Sequence, residues 1–401
     1  MTPRPFAIRL QNLALSAIVA SACVLAAGAD ELLLISSDLD IRSVRLLAID
    51  AQGVHVLSEG SSRPESLAYE DSLALLSPVS RLRASTSAVV HLIDGQRFTG
   101  QPAINIAGNS DVLEWDHPLI GAVRLPLDEI ESVIFKRGFG LPPLSPGAAA
   151  READALLLTN GDVLTGFILS LNDPVSIEME TEGAPAREVR IPLARVASAA
   201  MVSSARAVRQ HTGGRVWLFD GSIIDAQRII VADDGLVRFD VTRRASASSS
   251  ARVAVSDVAG ILFDSSRLAS LASLPPPQVE GPETRYTIPV PAATEPLAVL
   301  GLSPIEFRGP LLARYALPEG ASRFAATALL PASSRQWGDY ELVIRNDGRE
   351  VWRGRLTGNR PEFEINIPLN GRELTIELTE GAHGPVQDHL LLRRARVLVG
   401  R

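Results

Sequence analysis

Two tryptophans near the C-terminal end of the chain stand beside polar side chains of the types that bond hydroxyl groups. Trp337 lies in the stretch SSRQWGD, and Trp352 ends the stretch ELVIRNDGREVW. A sugar ring packs its flat apolar face on an aromatic ring and bonds its hydroxyls to carboxylate, guanidinium or imidazole groups. The two indoles are therefore the stacking candidates of a carbohydrate-binding site. Its candidate polar residues are Asp339, Arg353, Asp388 and His389.

Each of these candidates also has a purely structural interpretation. Trp352 stands at the end of a predicted strand, a position that favours the hydrophobic core. Trp337 fits either the rim of a site or the core. Asp388 fits a role in bonding the backbone of a turn as well as it fits a ligand contact.

Motifs for catalysis or metal binding are sparse. The histidines form no His-Glu-x-x-His pair, and no serine stands in a Gly-x-Ser-x-Gly turn. The most site-like cluster outside the C-terminal region, DVLEWDH at 111–117, reads as a strand with an exposed turn. No run of oxygen ligands resembles a calcium loop. We expect no enzyme activity, metal or cofactor. A hydrolase with an unrecognised site within residues 30–270 is the less favoured alternative.

Three stretches upstream share one pattern, an Asp-Gly or Asn-Gly pair between apolar runs. This pair predicts a hairpin with a type I′ turn. A second glycine follows five residues later in two copies, which predicts a bend in the second strand. Each copy closes with a similar apolar segment, 31, 31 and 33 residues after the turn glycine. The copies begin VVHLIDGQRFTG (89–100), ALLLTNGDVLTG (155–166) and RVWLFDGSIIDA (215–226).

We interpret each copy as a five-stranded β-module, preceded by a more divergent module. The hairpin with its Gly-x4-Gly spacing resembles the first motif of Sm-like small barrels, and this resemblance implies a small barrel of the Sm or SH3 type. The residues of the Sm RNA pocket have no match here. Net charge is −7 and no block of basic residues occurs, so we expect no nucleic-acid partner.

The pattern changes after a proline-rich stretch. Alternating strands joined by turn residues predict an antiparallel sandwich, with tight hairpins at Asp347-Gly348 and Asn370-Gly371. The order of RYALPEG, RFAATALL, ELVIRNDGREVW, IPLNGRELTIELTEG and DHLLLRRARV resembles the novel putative carbohydrate-binding module family. That resemblance implies a galactose-binding-like jelly roll that binds glycan. Where the family has an aromatic residue after its Asp-His pair, this chain has Leu391 and Leu392.

The N-terminal segment has the features of an export signal. Arg4 and Arg9 precede an apolar run that ends in small residues, and cleavage is expected after Ala29. An uncleaved membrane anchor is the alternative. The only cysteine, Cys23, lies in this run, so the mature chain would contain no thiol. We expect a periplasmic or secreted protein.

The sequence as a whole predicts an all-β chain of tandem small barrel-like modules followed by a jelly-roll sandwich. The expected function is non-catalytic binding of glycan or polysaccharide at the cell envelope or outside the cell. The alternative is an envelope scaffold that binds proteins and has lost the sugar site, which the leucines at 391–392 favour. The predicted boundaries are a signal peptide at 1–29, a divergent module at 30–80, modules at 81–140, 150–203 and 208–266, a linker at 267–284 and the sandwich at 285–401.

Overall fold

A computed structural model describes residues 31–79, 82, 87–103, 111–135, 153–181, 184–202, 213–232, 234–241, 250–281 and 289–400. Within these ranges the regular structure is β-strand, with short 3-10 helices between strands. The prediction of an all-β chain is confirmed. No helix in the described ranges is long and apolar enough to cross a membrane. The predicted signal segment, 1–29, lies outside them.

The N-terminal part contains four units of five strands. Unit 0 has β1 (Glu31–Ser36), β2 (Ile41–Asp50), β3 (Gly53–Ser58), β4 (Glu65–Leu67) and β5 (Ser72–Leu76). Unit 1 has β6 (Ala88–Leu92), β7 (Arg97–Pro102), β8 (Val112–His117), β9 (Gly121–Pro126) and β10 (Ile130–Ile134). Unit 2 has β11 (Asp154–Leu158), β12 (Val163–Ser170), β13 (Val175–Thr181), β14 (Ala184–Ile191) and β15 (Val196–Ala200). Unit 3 has β16 (Gly214–Leu218), β17 (Ile223–Val231), β18 (Leu236–Val241), β19 (Ser250–Ala254) and β20 (Val258–Leu262).

Strand pairing repeats from unit to unit. The first strand pairs antiparallel with both the second and the fifth strand of its own unit, as β11 does with β12 and β15. In units 1 to 3 a 3-10 turn precedes the fifth strand, at Leu127–Glu129, Leu193–Arg195 and Val255–Asp257. The similar closing segments seen in the sequence are this turn and strand.

The hairpin turns of units 1 to 3 differ from the predicted type I′ geometry. Gly95, Gly161 and Gly221 have positive φ, but the Asp or Asn before each of them does not. In unit 1 the Gly95 amide bonds the Leu92 carbonyl, and the Leu92 amide bonds the Gln96 carbonyl. These bonds enclose a three-residue loop in which only the last position needs the left-handed conformation, so glycine alone satisfies the turn.

In units 1 and 2, the second glycine allows the next strand to approach closely. A Cβ atom at Gly100 would lie 2.2 Å from the Asp116 carbonyl oxygen, and one at Gly166 would lie 2.2 Å from the Glu178 carbonyl oxygen. Both separations are far below van der Waals contact. The predicted bend is therefore a place where the backbones of the second and third strands cross without room for a side chain.

The units join through their strands and share one core. The fifth strands of units 1 and 2 pair antiparallel, with Val133 opposite Ala199. Those of units 0 and 3 pair in the same way, with Leu75 opposite Ile261. Inward-facing leucine, valine and isoleucine side chains of all four units form one continuous hydrophobic cluster. The units therefore pack as parts of a single body.

The C-terminal part is a sandwich of two antiparallel sheets, as predicted. One sheet contains β21 (Leu268–Ser270), β23 (Ala292–Ala293), β24 (Ile305–Arg308), β26 (Ala321–Leu329), β29 (Glu362–Pro368) and β31 (His389–Val399). The other contains β22 (Gln278–Glu280), β25 (Leu311–Ala316), β27 (Asp339–Asn346), β28 (Arg349–Thr357) and β30 (Glu373–Glu380). Further 3-10 turns lie at Leu271–Ser273, Val299–Gly301 and Ala332–Ser334.

Of the two hairpins predicted for this region, one is present and the other is not. Asp347 and Gly348 both have positive φ and form the expected tight hairpin between β27 and β28. Asn370-Gly371 instead connects β29 to β30, which belong to different sheets, so it is a crossover and not a hairpin. The predicted linker, 267–284, also contributes β21 and β22, which pair with β31 and β25.

A third apolar cluster joins the sandwich to units 0 and 3. It contains Trp217 and Leu73 from the units and Val299 and Leu302 from the sandwich. Buried Arg396 of β31 donates to the Leu39 carbonyl oxygen, and Asn366 donates to Asp40 at 2.8 Å. The two parts of the chain are thus in direct contact through apolar and polar groups.

A candidate carbohydrate site at the end of the sandwich

Trp337 is an exposed indole at one end of the sandwich. It follows the 3-10 turn Ala332–Ser334 and immediately precedes β27, and 46% of its surface is accessible. Its ring meets the exposed imidazole of His383 edge to face, with the centroids 5.6 Å apart and the planes at 89°. The two rings form a corner, the Trp337 corner, in which part of the indole surface stays open to solvent and available for stacking.

Asp339 lies two residues further along and is buried. Its carboxylate accepts two hydrogen bonds of 2.7 Å from Arg355 on β28 and one of 3.0 Å from the Ala382 amide. The Arg355 bonds hold the pKa of Asp339 at about 2, well below its ordinary value. Asp339 therefore fixes the segment that carries His383. Arg355, whose side chain is half exposed, keeps further N–H donors directed away from this pair.

Asp388 is buried next to Asp339 at the same end of the sandwich. Its residue surface is 1% accessible, and its Oδ1 accepts a long bond of 3.4 Å from the Asp339 amide. Its Oδ2 has no hydrogen-bond partner among the described residues. Burial raises the pKa of Asp388 to about 6, and the nearby Asp339 charge acts in the same direction. Asp388 supports the backbone at Asp339 and is not exposed to a ligand.

The structure does not bring Trp352 and Arg353 to this end of the sandwich. Trp352 is opposite Ile344, five residues along β27 from Asp339, or about 17 Å at the rise of a strand. Its ring packs edge to face on Phe363 against the sandwich core. Arg353 points to the other face of the sheet, where it bonds Glu341 and Glu350. The core interpretation of Trp352 is the one that the structure supports.

His389 begins β31 and is half-buried. Its backbone carbonyl accepts a hydrogen bond of 2.9 Å from the buried Tyr340 hydroxyl. Leu392, at one of the two positions where the resembled family has an aromatic residue, is fully buried in the sandwich core. An aromatic side chain at this position would not reach the Trp337 corner.

Sequence reasoning missed His383 and Arg355 as members of this cluster. A signal for Arg355 was present, because the Asp347-Gly348 turn sets the β27–β28 register and brings Arg355 beside Glu341 and Asp339. His383 stands between Gly381 and Gly384, whose backbones form an isolated bridge, and nothing in its spacing to Trp337 indicates contact. The candidate site is thus Trp337, His383 and Arg355, supported by Asp339 and Asp388.

The stretch DVLEWDH forms strand β8, and its alternate side chains point inward. Trp115 is fully buried and donates to the Thr99 carbonyl at 3.1 Å. His117 Nε2 lies 2.8 Å from Ser222 Oγ and 3.5 Å from Asp220 of unit 3, so a serine, a histidine and an aspartate meet in the repeats. Thr99 completes the cluster, with its hydroxyl 2.6 Å from Asp220.

This arrangement does not activate Ser222 as a nucleophile. The amides of Leu119 and Ile120 both donate to His117 Nδ1, so the ring proton is on Nε2. Nε2 then donates to Ser222 Oγ and cannot remove its proton. Burial lowers the pKa of His117 to about 4, and both side chains are inaccessible to solvent. The cluster holds unit 1 against unit 3.

Comparisons with known proteins gave structural matches only. No family model and no curated protein matches this sequence. A CBM51 module from Clostridium perfringens GH95 in complex with methyl-galactose is 14% identical. The match covers 32% of this chain and 99% of that chain and has a TM-score of 0.26. The tandem CBM51 modules of a Streptococcus pneumoniae family 98 glycoside hydrolase are 11% identical, with 65% and 92% coverage and a TM-score of 0.28.

A third match is the structure of CBM51-2 in complex with GlcNAc and INT domains from Clostridium perfringens ZmpB. It is 12% identical, covers 43% of this chain and 38% of that chain, and has a TM-score of 0.27. Identities and TM-scores this low assign no ligand and no residue role to this chain. Among the described residues, no group of three histidine, cysteine or acidic side chains is arranged to hold a metal ion.

Proposed function

We propose that this chain is an exported, non-catalytic protein whose C-terminal sandwich binds glycan at the Trp337 corner. The observation that carries the proposal is the exposed indole of Trp337, held at 89° to His383 beside the Arg355–Asp339 pair. An exposed aromatic ring offers a flat apolar surface on which a sugar face can stack. Arg355, bonded to Asp339 two residues from Trp337, has remaining N–H donors that suit the hydroxyls of a sugar ring.

Several finer assignments accompany this proposal. The sandwich would be a member of the novel putative carbohydrate-binding module family, and the four units would be small barrels of the Sm or SH3 type. The protein would be periplasmic or secreted, and its ligand would be a glycan or polysaccharide of the cell envelope or the surroundings. The buried, fully bonded His117–Ser222 cluster supports the proposal that the repeats are not catalytic.

Binding of the full chain to immobilised sugars and polysaccharides tests the proposal. Methyl-galactose and GlcNAc, named for the structurally similar modules, are suitable first probes. Trp337→Ala should weaken binding by about tenfold or more, because it removes the stacking face. Tyr69→Ala removes another exposed aromatic ring, in unit 0, and serves as the matched control. No retention on any glycan, or equal retention of the parent and Trp337→Ala, would contradict the proposal.

The alternative function, an envelope scaffold that binds proteins, is favoured by one observation in unit 2. Strand β12 exposes Val163, Phe167 and Leu169, three apolar side chains at alternate positions on one face. Exposed apolar side chains on one strand face, here interrupted only by Thr165, are typical of a protein-interaction surface. Both functions can belong to the same chain, because the surface and the Trp337 corner are on different parts of it.

A further inference from the structure

Units 1 and 3 contact each other through equivalent positions of their second strands. Arg97 of β7 is opposite Ile223 of β17 in a single antiparallel bridge. Each is the second residue after the turn glycine of its unit, Gly95 or Gly221. When the same position of two repeats meets itself, a pseudo-two-fold axis relates the repeats at that point.

The hydrogen bonds beside this bridge obey the same symmetry. The Thr99 amide donates to Ser222 Oγ at 3.1 Å, and the Asp225 amide donates to Gln96 Oε1 at 3.0 Å. Thr99 and Asp225 are both fourth after their glycine, while Gln96 and Ser222 are both first after it. Each unit thus offers one backbone donor and one side-chain acceptor to the other. This contact is self-complementary.

Unit 2 exposes the corresponding surface. Asp162, Val163 and Thr165 stand first, second and fourth after Gly161, and all three are exposed. Val163 is 52% accessible, whereas Arg97 at the same position of unit 1 is 3% accessible. Pairing of β12 with β13 begins only at Phe167, so the edge of β12 from Val163 to Gly166 is unpaired on that side among the described residues.

The chemistry of this surface matches a repeat of the unit 1–unit 3 contact. Asp162 has carboxylate oxygens where Gln96 and Ser222 supply acceptors. The register of Ala155 opposite Thr165 is equivalent to that of Val89 opposite Thr99, so the Thr165 amide points away from β11 as the Thr99 amide points away from β6. The remaining side chains of this face, Phe167 at 58% accessible and Leu169 at 38%, are apolar.

We propose that this surface, residues 162–169 of β12 and its turn, binds the same surface of a second copy of the chain. Val163 lies opposite its own counterpart across a true two-fold axis, and each Asp162 accepts the Thr165 amide of the other copy. Phe167 flanks the contact, because Gln101 and Gln227 at its position in units 1 and 3 remain exposed. The inference does not depend on sugar binding at Trp337, and it uses only the contact that units 1 and 3 already make within the chain.

Sedimentation equilibrium of the full chain over a range of concentrations tests the proposal. The parent chain should form a dimer, and Val163→Asp, which places two carboxylates opposite each other at the centre of the contact, should weaken dimerisation roughly thirtyfold or more. Asp162→Ala should weaken it roughly thirtyfold, the effect of the two hydrogen bonds lost per dimer at about 1 kcal/mol each. Val386→Asp, at a residue 51% accessible in the sandwich, is the matched control and should dimerise like the parent.

A cross-link reports the two-fold axis directly. Directly opposed residues of an antiparallel pair are within the Cα separation of a disulfide. Val163→Cys in a Cys23→Ser background should therefore give an oxidised, covalent dimer of native unfolding temperature, and Val386→Cys should not. A monomer at every concentration, a dimer insensitive to Val163→Asp, or a monomer that binds only a different protein through β12 would each overturn the proposal.

Discussion

The indole of Trp337 and the imidazole of His383 meet edge to face, with their planes at 89°. The orientation of the indole therefore depends on the segment Gly381–Gly384, and Asp339 holds that segment through the Ala382 amide. One exposed ring is thus kept in position by a buried carboxylate and the arginine bonded to it.

Loss of the imidazole should weaken sugar binding less than loss of the indole. His383→Ala removes the perpendicular ring but leaves Trp337 in place, so we expect affinity for a bound sugar to fall by about threefold to fivefold. Calorimetric titration measures this effect. His55→Ala, which removes an imidazole from unit 0, should leave affinity unchanged. An affinity loss equal to that of Trp337→Ala would contradict the indole as the larger contact.

Removal of the Arg355 guanidinium should loosen the His383 segment. Arg355→Met keeps an unbranched stem and eliminates both bonds to Asp339, so the pKa of that carboxyl should rise and the Ala382 amide should exchange faster with deuterium. Arg353→Met breaks only the exposed pairs with Glu341 and Glu350 and is the matched control. Equal exchange in the two variants would show that Asp339 holds the segment without Arg355.

Asp388 should make the protein less stable as the pH rises from about 4 to above 6. Burial raises its folded-state pKa to about 6 from an ordinary value of 3.8, so the folded state holds the proton more tightly than the unfolded state. The resulting stabilisation is complete below pH 3.8 and is lost as the pH rises through 6. It amounts to about 3 kcal/mol at most.

Asp388→Asn removes this titration, so its free energy of unfolding should change less with pH across that window than the parent's. Urea unfolding at a series of pH values compares the two proteins. Asp339 acts in the opposite sense, because its pKa of about 2 stabilises the fold above pH 3.8, and this stability is lost on acidification. Parallel pH profiles for Asp388→Asn and the parent would contradict the raised pKa.

Gly166→Ala should destabilise the repeats. The added Cβ would lie 2.2 Å from the Glu178 carbonyl oxygen, so β12 and β13 must separate, at a cost of about 2–4 kcal/mol. Gly235→Ala is the control, because a Cβ there meets no atom within 4 Å and only the positive φ opposes it, at about 1 kcal/mol. Thermal unfolding of both variants measures the two losses of stability, and that of Gly166→Ala should be the larger. Equal shifts would mean that the strand crossing at Gly166 accommodates a side chain.

The sequence predicted much of this architecture because β-strand alternation and turn chemistry are local. Spacing alone located the hairpins of Gly95, Gly161 and Gly221 and the closing strand of each unit. The turn type was wrong, because a three-residue loop needs positive φ at glycine only, and a sequence pair cannot distinguish the two geometries. The hairpin predicted at Asn370-Gly371 was wrong. Packing of the two sheets, and not the turn residues, decides between a hairpin and a sheet crossover.

The candidate site was predicted only in part, for the same physical reason. Trp337 and Asp339 were found by residue type and proximity in sequence, but His383 reaches Trp337 through the fold of a distant segment. Residue type alone also selects Trp352 as a stacking candidate. Alternation along β28 turns its ring toward the core and away from Arg353 and Arg355, and this follows from a register that only the folded hairpin fixes.

Titration of the full chain with glycans while following Trp337 tests the central claim most directly. The parent should bind at least one sugar with a change in tryptophan fluorescence, and Trp337→Phe should retain part of that affinity while losing the fluorescence change. Trp337→Ala should lose about tenfold or more in affinity with an unchanged unfolding temperature. Binding that is unaffected by Trp337→Ala would place the sugar elsewhere. No binding to any glycan would contradict carbohydrate recognition by this protein.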